Sequence, residues 1–397
     1  MADGTKIEWT EATWNPVTGC SLASPGCTNC YAMQLAGTRL AHHWSRKGLT
    51  QATKTGPVWT GEVRFNEEWL DQPLRWRRPR MIFVCAHGDL FHENVPDAWI
   101  DRVFAVMALC PQHTFQVLTK RSARMREYMD RACGRIGDAA MRLRKEDLAI
   151  KLGLGPNGLG PLPHAKPGRE WWPLPNVWLG VSVEDQTRAD QRIPDLLATP
   201  AAVRWISAEP LLGPVDLREV CGGHHFQNPL TGHRWHDAPE GVASTSDMGG
   251  ARLDWIVCGG ESGKDARPMH PDWARSLRDQ CAAACVPFFF KQWGEWFPAN
   301  PEAKCASATT TDRAVRDLSG GQLSLRVGKK AAGHLLDGVE HFAYPSGHTA
   351  TPGMTPQAAL VGSPRARSSA RSDNESGAAG EEGAAADTPP AGSGQLP

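Results

Sequence analysis

The feature that most limits what this chain can fold into is an alternation. Short apolar runs, rich in β-branched and aromatic residues, are separated by stretches with helical periodicity. The runs are Met81–Cys85, Thr114–Thr119, Val177–Val183, Val203–Ser207, Trp255–Cys258 and Pro287–Phe290. Near-continuous apolarity over so few residues suits strands buried on both faces. Between them, Trp99, Ile100, Val103, Phe104 and Met107 share one helical face. Trp273, Leu277 and Cys281 recur at i, i+4 and i+8 behind Pro271, a residue suited to a first helical position. Less regular helical patterns run on from Lys120 and across Gln186–Leu197. Strand–helix repetition of this kind predicts an α/β fold with a parallel sheet and helical crossovers. A partial or complete parallel (β/α) barrel is the first expectation, and a doubly wound open sheet is the main alternative.

The strand ends favour the barrel. They read His87-Gly88-Asp89, Thr119-Lys120-Arg121, Ser182-Val183-Glu184-Asp185, Ser207-Ala208-Glu209-Pro210, Gly259-Gly260-Glu261-Ser262 and Lys291-Gln292-Trp293. In a barrel these ends share one rim, where active sites are built. Taken singly each is a solvated loop start. Glu209, between a strand and a proline, suits either a buried ion pair or the binding of a ribose or substrate. Gly259-Gly260 permits close backbone approach. Lys291 is expected either paired with a carboxylate such as Glu261 or functional. Lys120-Arg121 suits either a contact to a carboxylate or phosphate or, the preferred reading, a helix start with a solvated face. His92-Glu93 suits a metal pair but is read first as an N-terminal helix cap region. Lys329-Lys330 is read as a surface helix start, because the G-x4-G-K-[ST] phosphate frame is missing.

Other signals set bounds. The 43 basic and 43 acidic side chains cancel, so no overall field draws the chain to nucleic acid or an anionic membrane, although a local basic groove remains open. No apolar run is long enough for a membrane span and the N-terminal residues are polar, so a cytoplasmic protein without a secretory signal is expected. Gly153 to Pro175 and Cys221 to Gly250 read as surface-loop insertions, and from Pro345 onward the composition is that of a disordered tail.

Eleven cysteines are expected to stay largely reduced in that compartment. Cys85, Cys110, Cys133, Cys221, Cys258, Cys281, Cys285 and Cys305 are scattered and read as small buried hydrophobes. Cys20, Cys27 and Cys30 are not scattered. They form C-x6-C-x2-C in a loop turned by Gly19, Pro25 and Gly26, with a helix expected from near Tyr31. A structural zinc site closes itself with four ligands, and no second C-x2-C or H-x3-H follows. The zinc-deaminase signature needs an upstream H-x-E, yet the first histidine is His42. Three thiolates holding a [4Fe–4S] cluster leave one iron open to chelate the amino and carboxylate groups of S-adenosylmethionine. Electron transfer then breaks a C–S bond and yields a 5′-deoxyadenosyl radical, while the protein positions the groups and tunes the potential.

The stretch from Trp9 through Asn15-Pro16-Val17-Thr18-Gly19-Cys20 resembles the opening of the phage and prophage three-Cys-motif proteins, a family of unknown function. The resemblance continues in Asp89-Leu90-Phe91-His92-Glu93, Leu118-Thr119-Lys120-Arg121, Trp178-Leu179-Gly180-Val181-Ser182-Val183-Glu184 and Ser207-Ala208-Glu209-Pro210. It also takes in Gly259-Gly260-Glu261-Ser262-Gly263, Phe290-Lys291-Gln292-Trp293-Gly294-Glu295-Trp296 and Val327-Gly328-Lys329-Lys330, covering roughly residues 5 to 345. That family is similar to radical S-adenosylmethionine enzymes. The resemblance therefore implies a barrel of the radical-SAM type, with the cluster on Cys20, Cys27 and Cys30. The spacing departs from the usual C-x3-C-x2-C, and the aromatic Tyr31 follows the last cysteine instead of preceding it.

In such enzymes a Gly-Gly-Glu after the second strand holds the methionine amino group. Gly259-Gly260-Glu261 lies too late in the chain for that role, and Asp89 is a chemically reasonable substitute. The expected cofactor-binding residues are then Asp89, Ser182, Glu184, Gly259 and Gly260, and the expected catalytic residues Glu209, Glu261 and Lys291. The expected division is a barrel with its cluster loop over 1–300, an extension packed on it over 301–344, and the tail over 345–397. The resemblance further implies a partner protein encoded nearby. It does not give the substrate, which is expected only to be an unidentified one, with a macromolecular substrate left open. Two rivals stand beside this reading: a non-enzymatic metal-binding module that docks nucleic acid or a partner protein, and a barrel that keeps a cluster only for structure.

Overall fold

The structure, a computed structural model, describes residues 5, 7–145, 171–223, 225–235, 246–299 and 315–345. Its centre is a seven-stranded parallel sheet of β1 (Ala12–Trp14), β2 (Met81–Val84), β3 (Thr114–Thr119), β4 (Val177–Ser182), β5 (Val203–Ala208), β6 (Trp255–Gly259) and β7 (Phe288–Gln292). Strand order in space follows strand order in the chain and never reverses. A doubly wound sheet needs such a reversal, so that alternative is corrected. Within the sheet β1 pairs with β2 and β7 with β6, and the two edges do not join. The sheet curls into a half-barrel, not a complete one. The apolar runs became strands β2 to β7. The added strand, β1, is only Ala12-Thr13-Trp14, too short to carry a periodicity.

The helices α1 (Tyr31–Gly37), α2 (Asp97–Ala108), α3 (Ser122–Lys145), α4 (Gln186–Ala198) and α5 (Pro271–Ala283) lie where helical patterns were read. Asp185 caps α4 by accepting the Arg188 N–H at 3.0 Å. His270 caps α5 by accepting the Asp272 N–H at 3.2 Å, with Pro271 in its first turn.

Burial on both faces takes two different forms. Toward the helices the strands send Ile82, Val84, Phe115, Val117, Leu179, Ile206, Ile256 and Phe290 into the main core. The opposite, concave face holds Trp178, Trp205, Trp255, Val257 and Phe289, closed by Trp9 from the segment before β1. Trp255 is the hub, with ring centroids 5.4 Å from Trp205, 5.6 Å from Trp178 and 6.2 Å from Trp9. Gly180 stands in register with Trp205, and a Cβ there would lie 2.5 Å from the indole. A side chain at 180 would evict the ring that fills the floor. The exposed edge of β7 is covered by the C-terminal stretch: Phe290 N–H donates to His341 O at 2.7 Å and Ala343 N–H to Phe288 O at 3.2 Å.

Two further features differ from expectation or fall beyond it. The Cys221 to Gly250 stretch is not a plain surface loop. It carries a small antiparallel sheet of Val220–Cys221, Phe226–Asn228, His233–Trp235 and Ser246–Asp247. Those strands are too short and polar to show an alternation. Most of the Gly153–Pro175 insertion, residues 301–314 of the C-terminal extension and the tail from 346 lie outside the described residues. Among the described residues no helix is long and apolar enough to cross a membrane.

Candidate functional site

The chain leaves β1 through Val17–Thr18, which pairs with Arg64–Phe65, and enters the cysteine loop. A single turn of 3-10 helix over Pro25–Cys27 brings Cys27 inward, and Cys30 becomes the cap of α1. All three thiols are free, and all three line one cavity of about 580 Å³. The same cavity is lined by Asp89, Ser182, Ser207, Glu209, Gly260, Glu261 and Lys291 from the C-terminal ends of the strands. The loop and the rim, read separately from the sequence, therefore face the same space. Glu184 and Gly259 are not among the lining residues.

The rim carboxylates fall into two groups. Glu184 is fully buried and saturated: it accepts from Ser24 Oγ at 2.6 Å and Arg192 Nη1 at 2.8 Å, with Lys120 Nζ at 3.2 Å. Burial alone would push its pKa up, but Lys120, Arg192 and the Ser24 hydroxyl overcome that and hold it below the usual carboxylate value. Ser24 belongs to the cysteine loop. Gly26 follows it closely, and a Cβ at Gly26 would stand 2.4 Å from Glu184 Oε1. Glu261 works the same way. It accepts from Asn29 Nδ2 at 3.0 Å and from Arg267 N and Nε, both at 2.8 Å, while Arg267 Nη2 donates to Pro25 O at 3.0 Å. Two buried carboxylates, one from the end of β4 and one from the end of β6, thus pin the two sides of the cysteine loop to the sheet.

Asp89 is also saturated. Its oxygens accept from Phe91 N (3.0 Å), Thr119 Oγ1 (2.7 Å), Lys120 N (3.1 Å) and Arg121 Nη1 (3.2 Å). Arg121 then reaches the loop itself: it donates to Ser21 O at 3.0 Å, Ser21 Oγ at 2.7 Å and Cys20 Sγ at 3.4 Å. His92, buried, bonds the same Ser21 hydroxyl at 2.9 Å. Lys120-Arg121 does stand at the start of α3, but its side chains turn inward to the carboxylates of Glu184 and Asp89 instead of to solvent. Of His92-Glu93 the histidine is buried while Glu93 is exposed. Ser21 lies 100 positions from Arg121 and 71 from His92, which is why spacing gave no hint of these contacts.

Glu209 and Lys291 behave differently. They pair at 2.6 Å inside the cavity, and Lys291 has a second, longer contact to Glu8 at 3.9 Å. Lys329 opens the short helix Lys329–Ala332, as expected, and from there also lines the cavity and reaches Glu8 at 2.9 Å. On the other side His87 lines the cavity beside Tyr31. Burial and the nearby Arg46 and Arg39 lower its pKa to about 4, so it is neutral at pH 7. The sequence offered His87 only as part of a polar strand end, and Arg39 not at all. Gly260 lines the cavity with its N–H given to Gln292 O at 2.8 Å. Gly259 sits at a register shift in β6, facing Glu209 and Lys291.

Cys20 and Cys30 are held as thiols. Burial raises the Cys20 pKa to about 12, Asp89 and the other two cysteines push the same way, and Arg121 pulls against them. Burial likewise raises Cys30, against the N–H groups of Met33 and Ala32. Thiols in this condition become thiolates when a metal centre supplies the missing positive charge. Among the described residues no three His, Cys, Asp or Glu side chains are gathered tightly enough to hold a single metal ion. Three free thiols of one loop facing one cavity are a donor set that a cluster of several irons could take, one sulfur to each of three irons.

No curated protein and no solved structure matches this chain. One family model does, over residues 4–345, under the description "protein of unknown function (DUF5131)". That span takes in the sheet, the cysteine loop and the whole rim, and the chain belongs to the DUF5131 family.

Proposed function

We propose that this protein is an iron–sulfur enzyme of the radical S-adenosylmethionine kind. Cys20, Cys27 and Cys30 would hold a [4Fe–4S] cluster, with S-adenosylmethionine and a substrate in the cavity beside it. One observation carries the reading: three free thiols of one loop line the same space as the polar C-terminal ends of a parallel half-barrel. When bound, the cluster supplies a low-potential electron that cleaves a C–S bond of S-adenosylmethionine. The chain's own share divides by position. Glu184 and Glu261 orient the loop, Trp9 and the tryptophans packed beneath it make the apolar floor, and Glu209 and Lys291 face whatever the cavity binds. Ser182 and Gly260 line the wall between them. The phage or prophage setting and the neighbouring partner protein belong to this same proposal through the resemblance, and a macromolecular substrate belongs to it as an open expectation.

Anaerobic reconstitution with iron and sulfide tests it. The expected result is about four irons and four sulfides per chain, with 5′-deoxyadenosine released from S-adenosylmethionine under dithionite. Cys27→Ala should lose both. One tightly held zinc with no sulfide would sink the reading. A full cluster with no 5′-deoxyadenosine would leave the cluster a structural part only.

A further inference from the structure

The three sulfurs do not share one environment. Cys27 Sγ lies 3.5 Å from the Ala23 N–H and 3.9 Å from Ser24 Oγ, and Cys30 faces the first turn of α1. Among the described residues Cys20 alone of the three receives a hydrogen bond from a charged side chain, Arg121 Nη1 at 3.4 Å. That guanidinium is buried and has little freedom to swing away. Asp89 holds it at 3.2 Å, Glu93 at 3.3 Å, and Ser21 takes two of its N–H groups through carbonyl and hydroxyl. Asp89 is itself fixed by Thr119 and the Lys120 N–H. Arginine suits the position: the planar fork divides its donors among a carboxylate, a carbonyl and a sulfur at fixed angles, which a lysine ammonium cannot do.

We propose that Arg121 is the positioning residue that sets the reduction potential of the centre held by the cysteine loop, acting through the Cys20 sulfur. The proposal rests on the iron–sulfur reading above and deepens it. Three thiolates place negative charge in the cavity, and each electron added to the cluster adds more. A fixed cation that hydrogen-bonds one ligand sulfur favours the reduced form, because the reduced cluster carries the greater negative charge. In the step concerned, a one-electron donor of the dithionite class is oxidised and the cluster is reduced by that electron. No bond to Arg121 forms or breaks. Asp89 orients Arg121 and is occupied in doing so, which separates it from the cofactor-amino role that sequence position suggested.

The test is an EPR-monitored redox titration of the anaerobically reconstituted full chain, wild type against Arg121→Gln and Arg121→Lys, with iron and sulfide assayed in each. Arg121→Gln should keep the cluster and shift its midpoint potential to more negative values. Arg121→Lys, which keeps the charge but not the fork, should fall between the two. A cluster-loaded Arg121→Gln with the wild-type midpoint overturns the proposal. If Arg121→Gln does not fold, Arg121→Lys decides alone: an unmoved midpoint overturns the proposal and a negative shift supports it. Absence of iron and sulfide from the wild type overturns this proposal and the iron–sulfur reading together, whereas a cluster with an indifferent Arg121 overturns this one only.

Discussion

Along β5, Trp205 lies at the bottom of the concave face and Ser207 at its top, on the cavity wall. Along β7 the same step separates Phe289 from Lys291, and along β4 two such steps separate Trp178 from Ser182. One side of one sheet therefore changes chemistry over two or four residues, from stacked aromatic rings to hydroxyls and charges. The strand period of two makes this possible, since alternate residues stay on one face while the intervening ones feed the helical core. The floor is rigid because its rings have no solvent to move into, and the rim has water on one side. Substitutions should therefore separate cleanly: floor changes read as stability, and cavity-facing rim changes do not.

The largest effect is expected at the hub of the floor. Trp255→Ala removes the ring that contacts Trp9, Trp178, Trp205 and Phe289, and the parallel sheet around it cannot collapse to refill the space. A loss of about 4 kcal/mol in urea unfolding is expected. A loss under about 1 kcal/mol would mean the floor is loosely packed and would erase the contrast with the rim.

Glu184 refines the comparison, because it lies at the rim by sequence and in the interior by environment. Glu184→Ala strands Arg192 and Lys120, whose side chains are only 6% and 17% exposed, without their carboxylate. A cost of about 3 kcal/mol is expected at neutral pH. The pH dependence has a definite sign. The folded pKa lies below the ordinary 4.5, so the stabilisation is present above pH 4.5 and is lost as pH falls through the folded value. The gap between wild type and variant should narrow in that acidic window, measured by denaturation at each pH. A gap that does not change with pH would show that the carboxylate charge is not what holds the loop.

Much of this was legible in the sequence, and the reason is burial. Strands covered on both faces have no polar positions to blur them, so β2 to β7 stand out as runs; β1 is too short and the strands between 220 and 247 too polar to do so. The cysteine loop was legible because its three ligand residues lie within one short segment. Roles at the rim were not. Glu184, Glu261 and Asp89 have the residue types of ligand-binding groups, and only their partners show that they are occupied. Beside near partners such as Arg192, 8 positions from Glu184, and Arg267, 6 from Glu261, the ties to the cysteine loop are Ser24, 160 positions from Glu184, and Asn29, 232 positions from Glu261. Arg121 sits 101 positions from the sulfur it touches. A single sequence has no signal for pairs at such separations.

The smallest expected effect tests whether the rim truly divides. The Glu209 side chain is 21% exposed, and Lys291, with which it pairs, keeps a second carboxylate nearby in Glu8. Glu209→Gln keeps the acceptor oxygen and the shape while removing the charge, and water in the cavity can solvate what Lys291 loses. The stability change should therefore stay within about 1 kcal/mol, while binding or turnover in the cavity, followed by 5′-deoxyadenosine release in the reconstituted protein, falls. If Glu209→Gln instead cost as much as Glu184→Ala, the pair would be a tie of the same kind, holding β5 to β7. The cavity would then lack a charged pair free for chemistry, and the functional residues would have to be sought on the His87 and Arg39 side of the mouth.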